Sequence, residues 1–336
     1  MSEHIAMVMT GPGEPPAPQT RGIPDPGPGE AVVRVRASSM NYHDLVNLMG
    51  LIPGPWPRVP MTDGAGEVVA VGDDAAGVLV GDRVIGAFQP LWLDGTLTRA
   101  FQRETPGDTG DGWLQQYKVF PAAALVSAPA HLSDTEAASL VCAGTTAWSS
   151  LEAGAITAGD VVVTMGTGGV SLFAVQLAKM RGATVIITSS SDDKLAAIAH
   201  LGADHTINYR TSPEWHQDVM AITDGRGADL VLDLGGPDTL AEAIASVRME
   251  GTVAVIGVLS GFGRAEIPIT TVMTRQINLR GITVGSVAAH RDLCAAVQAH
   301  GLRPQISHTF DWRELAEAQR VQQAGEHIGK ITLTIE

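Results

Sequence analysis

An α/β chain in two parts, a β-rich stretch followed by a doubly wound parallel sheet, is predicted by three observations. The run 160–178, DVVVTMGTGGVSLFAVQLA, passes without a gap from a β-branched apolar strand through a tight glycine turn into an amphipathic helix. After it, strand-like and helix-like segments alternate to about residue 286. Before it, short Val/Ile runs are bounded by Gly-Asp turns.

In the first part, residues 11–29 are dense in Gly and Pro and read as a loop leading into a half-buried strand, AVVRVRA at 31–37. The segments GAGEVVAVG at 64–72, GDRVIGAF at 81–88 and YKVFP at 117–121 read as further strands. Between them, 89–112 carries PGDTGDG and little periodicity, and reads as a lid or a mobile insertion. Trp56, Phe88, Trp92, Phe101 and Trp113 either line an apolar cleft or pack a core.

In the second part, TVIITSSS, ADLVLDLGG, TVAVIGVL and INLRGITVGS read as strands, with DDKLAAIAHLG and TLAEAIASVRMEG as helices between them. The tail from Arg291 offers an amphipathic helix, a second helix around 312–324 and a closing strand, KITLTI, that rejoin the first part. Gly166, Gly168 and Ser171 occupy the small positions of a GxGxxG turn. The first makes the turn, the second lets backbone approach a pyrophosphate and the third allows close helix packing. A dinucleotide therefore fits at 166–170, Gly166, Thr167, Gly168, Gly169 and Val170, with its diphosphate at the helix start.

Composition narrows the class. With 45% hydrophobic and 17% charged residues, 336 residues suffice for about two well-filled cores. A net charge of −14 argues against nucleic acid or an anionic membrane as partners. Cys142 and Cys294 are the only cysteines, and no CxxC or HxxxH pair is present, so neither a disulfide framework nor a tetrahedral metal site is expected. The opening MSEHIAMVMTGPGEPPAP lacks the apolar core of a signal peptide, and GTGG interrupts the longest apolar run. A cytoplasmic protein is expected.

NYHD at 41–44, GAGEVVAVG, GDRV at 81, VCAGTTAW at 141, the GTGGVS turn, LGADHTINYR at 201 and GKI at 329 follow one another in a fixed order. By these segments nearly the whole chain resembles the medium-chain dehydrogenase/reductase superfamily, most closely its zinc-independent quinone-oxidoreductase-like and alcohol-dehydrogenase-like members. The resemblance implies a GroES-like distorted β-barrel catalytic domain interrupted by a Rossmann domain, with substrate in the cleft between them. The expected limits are 1–128 and 287–336 for the catalytic domain and 129–286 for the NADP-binding one.

Against the zinc members of that superfamily, Asn41 stands where a first cysteine ligand lies, and Met61, Thr62 and Asp63 replace GHE. Cys142 matches a third-ligand position, and the insertion that would carry a structural zinc has no cysteine. No catalytic or structural metal is expected. The second Rossmann strand ends in TSSS rather than in an acidic residue, leaving room for a 2′-phosphate. By resemblance Ser190, Lys194 and Tyr209 hold it, with Arg210 beside them, so NADPH is favoured and NADH remains possible. The alternative is that Ser191 caps a helix and Lys194 is solvated; Asp192 and Asp193 would repel phosphate or, turned inward, bind ribose. Resemblance also assigns cofactor contacts to Gly257, Val258, Leu259, Gly285, Ser286 and Lys330.

Asn41, Tyr42 and His43 are the catalytic candidates: Asn41 as a hydrogen-bond donor, Tyr42 or His43 as the source of a proton, with Asp44 read as a helix cap. Three functions stay open. They are hydride transfer to a quinone or activated enone, zinc-less alcohol/ketone chemistry, and NADPH binding without turnover. The substrate is expected to be a small apolar carbonyl or quinone. The chain is expected to be a homodimer, because the apolar strand INLRGITVGS lies at a sheet edge.

Overall fold

The computed structural model describes residues 3–336, apart from the side chain of Gln102. The chain divides into two units, one made of residues up to Thr145 together with Gly285–Glu336, the other of Thr146–Val284. The first division thus falls after Thr145 rather than after 128. The reason is local: Ser39 Oγ donates to the carbonyl of Ala138 at 3.4 Å, and the Cys142 amide donates to Asp63 Oδ1 at 3.2 Å. These bonds tie the helix Asp134–Ala138 and the turn Leu140–Gly144 to the first unit's strands.

The first unit is built on a seven-stranded sheet. Its order is Ile306–Asp311, Lys330–Thr334, Glu30–Met40, Asp63–Val71, Arg83–Gly86 and Leu125–Ser127, with Tyr117–Pro121 pairing off Glu30–Met40. Glu30–Met40 buries its valines and turns Arg34 out, as its alternation predicts. The Pro-rich stretch is not all loop: Ala17–Gly22 pairs antiparallel with Glu3–Val8. It is an exposed strand in a two-stranded ribbon, a setting that tolerates the missing N–H of Pro18.

Trp113 is completely buried and lies across two neighbouring strands. A Cβ on Gly64 would stand 2.0 Å from its ring, and one on Gly86 only 1.9 Å. Both glycines are therefore required by the indole. Phe88 and Phe101 are buried as well, so three of the five aromatics named above are core.

The second unit is a six-stranded parallel sheet in the order His205–Asn208, Thr184–Ser189, Val161–Met165, Ala228–Asp233, Val247–Val255 and Asn278–Gly281. Every residue of Ala228–Asp233 is buried, as expected of a strand covered on both faces. The strand order reverses beside Val161–Met165, which creates the crevice at which such sheets bind ligands. His205–Asn208 is a strand not separated by the sequence pattern. The edge strand ends at Gly281, so Gly285 and Ser286 lie beyond it, in the first unit.

Candidate active site

The glycine turn has the form a diphosphate needs. Gly166 adopts φ +76°, a left-handed value that favours glycine, and Gly168 is the N-cap of the helix Gly169–Met180. A Cβ added at either glycine would meet nothing within 4 Å, so open space lies over the turn. Ser171 is buried and its Oγ donates to the Met165 carbonyl at 2.5 Å, locking helix to strand where a third glycine is usual. Thr167 is buried, while Gly169 and Val170 are half-buried in the first helical turn. The turn fits a dinucleotide.

At the next strand end, Ser190 and Lys194 are half-buried and Tyr209 is exposed. The Tyr209 amide donates to the Ser189 carbonyl at 3.0 Å, which brings the two strand ends together. Ser191 caps the helix Asp192–Ala197 by accepting from the Lys194 amide. Asp192 accepts from Asn208 Nδ2 at 2.9 Å, so that carboxylate is tied to the tip of the neighbouring strand.

The remaining cofactor candidates are placed differently from one another. Gly257 is fixed by packing, since a Cβ there would stand 2.1 Å from the Leu234 carbonyl. Val258 is half-buried and Leu259 is exposed. Ser286 caps the helix Val287–His300 by accepting from the Ala289 amide at 3.1 Å, with Gly285 just before it. Lys330 is held by hydrogen bonds within the first unit. Its ammonium is buried in the first unit, donating to the Met40 carbonyl at 2.8 Å and to Asn41 Oδ1 at 2.5 Å, and it lies 3.4 Å from Asp63 Oδ2.

That network centres on Asn41. Asn41, the N-cap of the helix Tyr42–Leu48, donates through Nδ2 to Asp44 Oδ2 at 3.0 Å and to Thr62 Oγ1 at 3.3 Å. Asp44 is the third residue of that helix and returns its carboxylate to the Asn41 amide at 2.8 Å, completing a capping box. Asp63 accepts from Ser39 Oγ at 2.6 Å and from the Cys142 amide. Burial, with Asp63 nearby, pushes the Asp44 carboxyl above its ordinary range. Tyr42 stands outside the network with its side chain exposed, and His43 sets Nε2 3.6 Å from Asp108 Oδ2. Asp108 was not singled out, because only the fold brings it to His43, and Thr62 and Asp63, read from the sequence only as replacements for metal ligands, join Asn41 through hydrogen bonds that the fold sets. A separate cavity of about 410 Å³, walled by Ala122, Leu125, Arg291 and Gln298 among others, contains none of these groups.

Residues 27–130 match the alcohol dehydrogenase GroES-like domain and residues 169–299 the zinc-binding dehydrogenase domain. A zinc-type alcohol dehydrogenase-like protein of Schizosaccharomyces pombe is 41% identical over 317 residues, covering 92% of each chain. The chain belongs to the medium-chain dehydrogenase/reductase superfamily. It is an NAD(P)-dependent oxidoreductase of that superfamily, with the expected GroES-like and Rossmann parts. A crystal structure of a Sinorhizobium meliloti 1021 protein assigned as an alcohol dehydrogenase superposes with a TM-score of 0.93 at 38% identity, covering all of both chains. A structure of an NAD-dependent alcohol dehydrogenase gives 0.88 at 30% identity, again over both whole chains.

The zinc in those descriptions is not matched by the donors here. An amide, a hydroxyl and a single thiol replace the usual ligands, and the amide oxygen already accepts from the Lys330 ammonium. Among the described residues, no group of three or more His, Cys, Asp or Glu side chains could hold a metal ion. No helix among them is long and apolar enough to cross a membrane.

Proposed function

We propose that this medium-chain dehydrogenase/reductase is a zinc-independent, NADPH-preferring reductase of quinones or activated enones. One observation carries the reading: Lys330, Asn41, Thr62 and Asp63 form a closed ring of hydrogen bonds that engages the side chains standing, by resemblance, at the ligand positions of the zinc members. Reduction of an unactivated ketone gains much from a Lewis acid, whereas a quinone or enone spreads its new charge over a conjugated system and needs only hydrogen-bond donors and a proton.

The glycine turn and helix start would receive the cofactor diphosphate, and Ser190, Lys194 and Tyr209 the 2′-phosphate. When bound, the reduced nicotinamide supplies the hydride. Tyr42 and His43 are then the groups able to pass a proton to the substrate oxygen. A second reading, reversible alcohol/ketone chemistry with NAD, is favoured by the names of the relatives, which include an NAD-dependent alcohol dehydrogenase at 30% identity.

A substrate panel separates the two. Quinones, enones, ketones and secondary alcohols are each followed at the cofactor absorbance, with and without a chelator. Quinones and enones should be turned over fastest and the chelator should change nothing. Turnover confined to ketones and secondary alcohols would replace the first reading with the second, and activity lost on chelation and restored by zinc would overturn zinc independence itself.

A further inference from the structure

His43, on the helix Tyr42–Leu48, sets a buried ring nitrogen beside an acid without closing an ordinary hydrogen bond to it. Its Nε2 is buried, its ring meets the edge of Phe88 with centroids 5.6 Å apart, and Asp108 Oδ2 lies 3.6 Å from that nitrogen. The imidazole is 30% exposed and the carboxylate 18%, so the pair is screened less than a surface ion pair.

The segment that carries Asp108 is built in, not mobile. Arg58 is 1% exposed and donates from Nη1 to the Asp108 carbonyl at 2.6 Å and from Nη2 to Asn47 Oδ1, while Asn47 Nδ2 donates to the Gly107 carbonyl. Asn47 lies one helical turn after His43 on the same helix. One buried guanidinium therefore ties the histidine's helix to the loop bearing its carboxylate. The glycines let that loop lie flat: Gly107 adopts φ +73°, and a Cβ on Gly112 would stand 2.2 Å from the Pro60 carbonyl. The expected lid is thus fixed over 104–112.

We propose that Asp108 is a positioning residue for the reduction: it faces Nε2–H of the His43 imidazolium and favours that doubly protonated form, so that Nδ1–H is left to deliver its proton to the substrate oxygen, and Arg58 holds Asp108 in place. The inference rests on the proposed reductase reading. As the substrate carbon accepts the hydride's electron pair, a π pair moves to oxygen. Nδ1–H breaks, the new O–H forms, and the neutral imidazole regains its proton from water. The 3.6 Å separation suits a resting enzyme, in which such contacts are often long and shorten on binding.

The surrounding charges act in the same direction. Burial alone would lower the histidine's proton affinity, yet Asp108 on the loop, Asp44 on its own helix and Asp63 on the neighbouring strand outweigh it and raise the pKa. The nearby cations, Lys330 and Arg58, are bonded to Asn41 and to the Asp108 carbonyl respectively.

The test is histidine-labelled NMR on the full-length protein, with the His43 signal assigned by His43→Gln, alongside the pH profile of kcat. Asp108→Asn should move the His43 midpoint to lower pH and bring the alkaline fall in kcat with it. At pH 8 turnover should drop about tenfold, less than the ~10²- to 10⁴-fold loss expected of His43→Gln, while KM for NADPH stays unchanged. Asp108→Glu should recover most of both effects, which a merely structural role would not predict. An unmoved His43 midpoint in folded Asp108→Asn overturns the pairing. A shifted midpoint with an unshifted kcat profile overturns the donor role. If wild type reduces no quinone or enone, the reductase reading fails while the midpoint still decides the pairing.

Discussion

The proposed preference for NADPH rests on a few side chains at one strand end. Lys194 supplies a compact positive charge within the first turn of the helix Asp192–Ala197, and Ser190 and Tyr209 supply hydroxyls from two adjacent strand ends. Asp192 is the opposing influence, but its bond to Asn208 engages one carboxylate oxygen. Lys194→Ala should therefore weaken NADPH binding about tenfold, roughly the worth of one charge-assisted contact, and leave NADH almost untouched. Fluorescence titration with each cofactor checks this. Equal losses for both would mean that Lys194 supports the helix rather than the phosphate.

Among the elements, the helix Val287–His300 carries a pH-sensitive contact far in sequence from the turn it meets. His290 is buried, with Nδ1 2.8 Å from Thr145 Oγ1 and Nε2 3.9 Å from Cys294 Sγ. Burial, with Arg291 adding to it, pushes the imidazole down to about 4, and burial pushes the Cys294 thiol up to about 12. Between about pH 6.5 and 4 the unfolded chain takes up a proton that the folded chain refuses. Stability from this source is intact above about 6.5 and falls as pH drops, by up to about 1.4 kcal/mol per pH unit. Urea denaturation between pH 7 and 5 should show a shallower loss for His290→Gln than for wild type. Parallel slopes would assign the acid sensitivity to other groups.

At the scale of the whole molecule, the open edge of the parallel sheet asks for a partner. Among the described residues Asn278–Gly281 has no neighbouring strand on its outer side, and the segment before it leaves Leu259, Phe262, Ile269 and Met273 each more than half exposed. The apolar character lies in that preceding segment rather than in the strand, whose Asn278, Arg280 and Gly281 face out. We propose a homodimer built on this edge. Light scattering at micromolar concentration should give twice the chain mass, and Phe262→Asp together with Ile269→Asp should shift it to monomer. A wild-type monomer under those conditions rules the proposal out.

Most of the second unit's strands were legible in the sequence, because periodicity and turn chemistry are local, but the helices Trp215–Ile222 and Ile269–Thr274 were not separated, and VRMEG, expected as helix, opens the strand Val247–Val255. The run from Val161 to Met180 states strand, glycine turn and helix in consecutive residues, and the closing KITLTI is a strand in place. Ala17–Gly22 was illegible, since an exposed edge strand carries no apolar alternation, and so was His205–Asn208, which buries only Ile207 deeply. The site divides in the same way. Gly166, Gly168 and Ser171 announce their role through spacing alone. Lys330 reaching Asn41 across 289 residues, Asp63 joining them and Arg58 setting Asp108 beside His43 were decided only by tertiary structure. Spacing encodes a turn, but which buried charges share a hydrogen bond depends on strand register and on what each must satisfy once water is excluded.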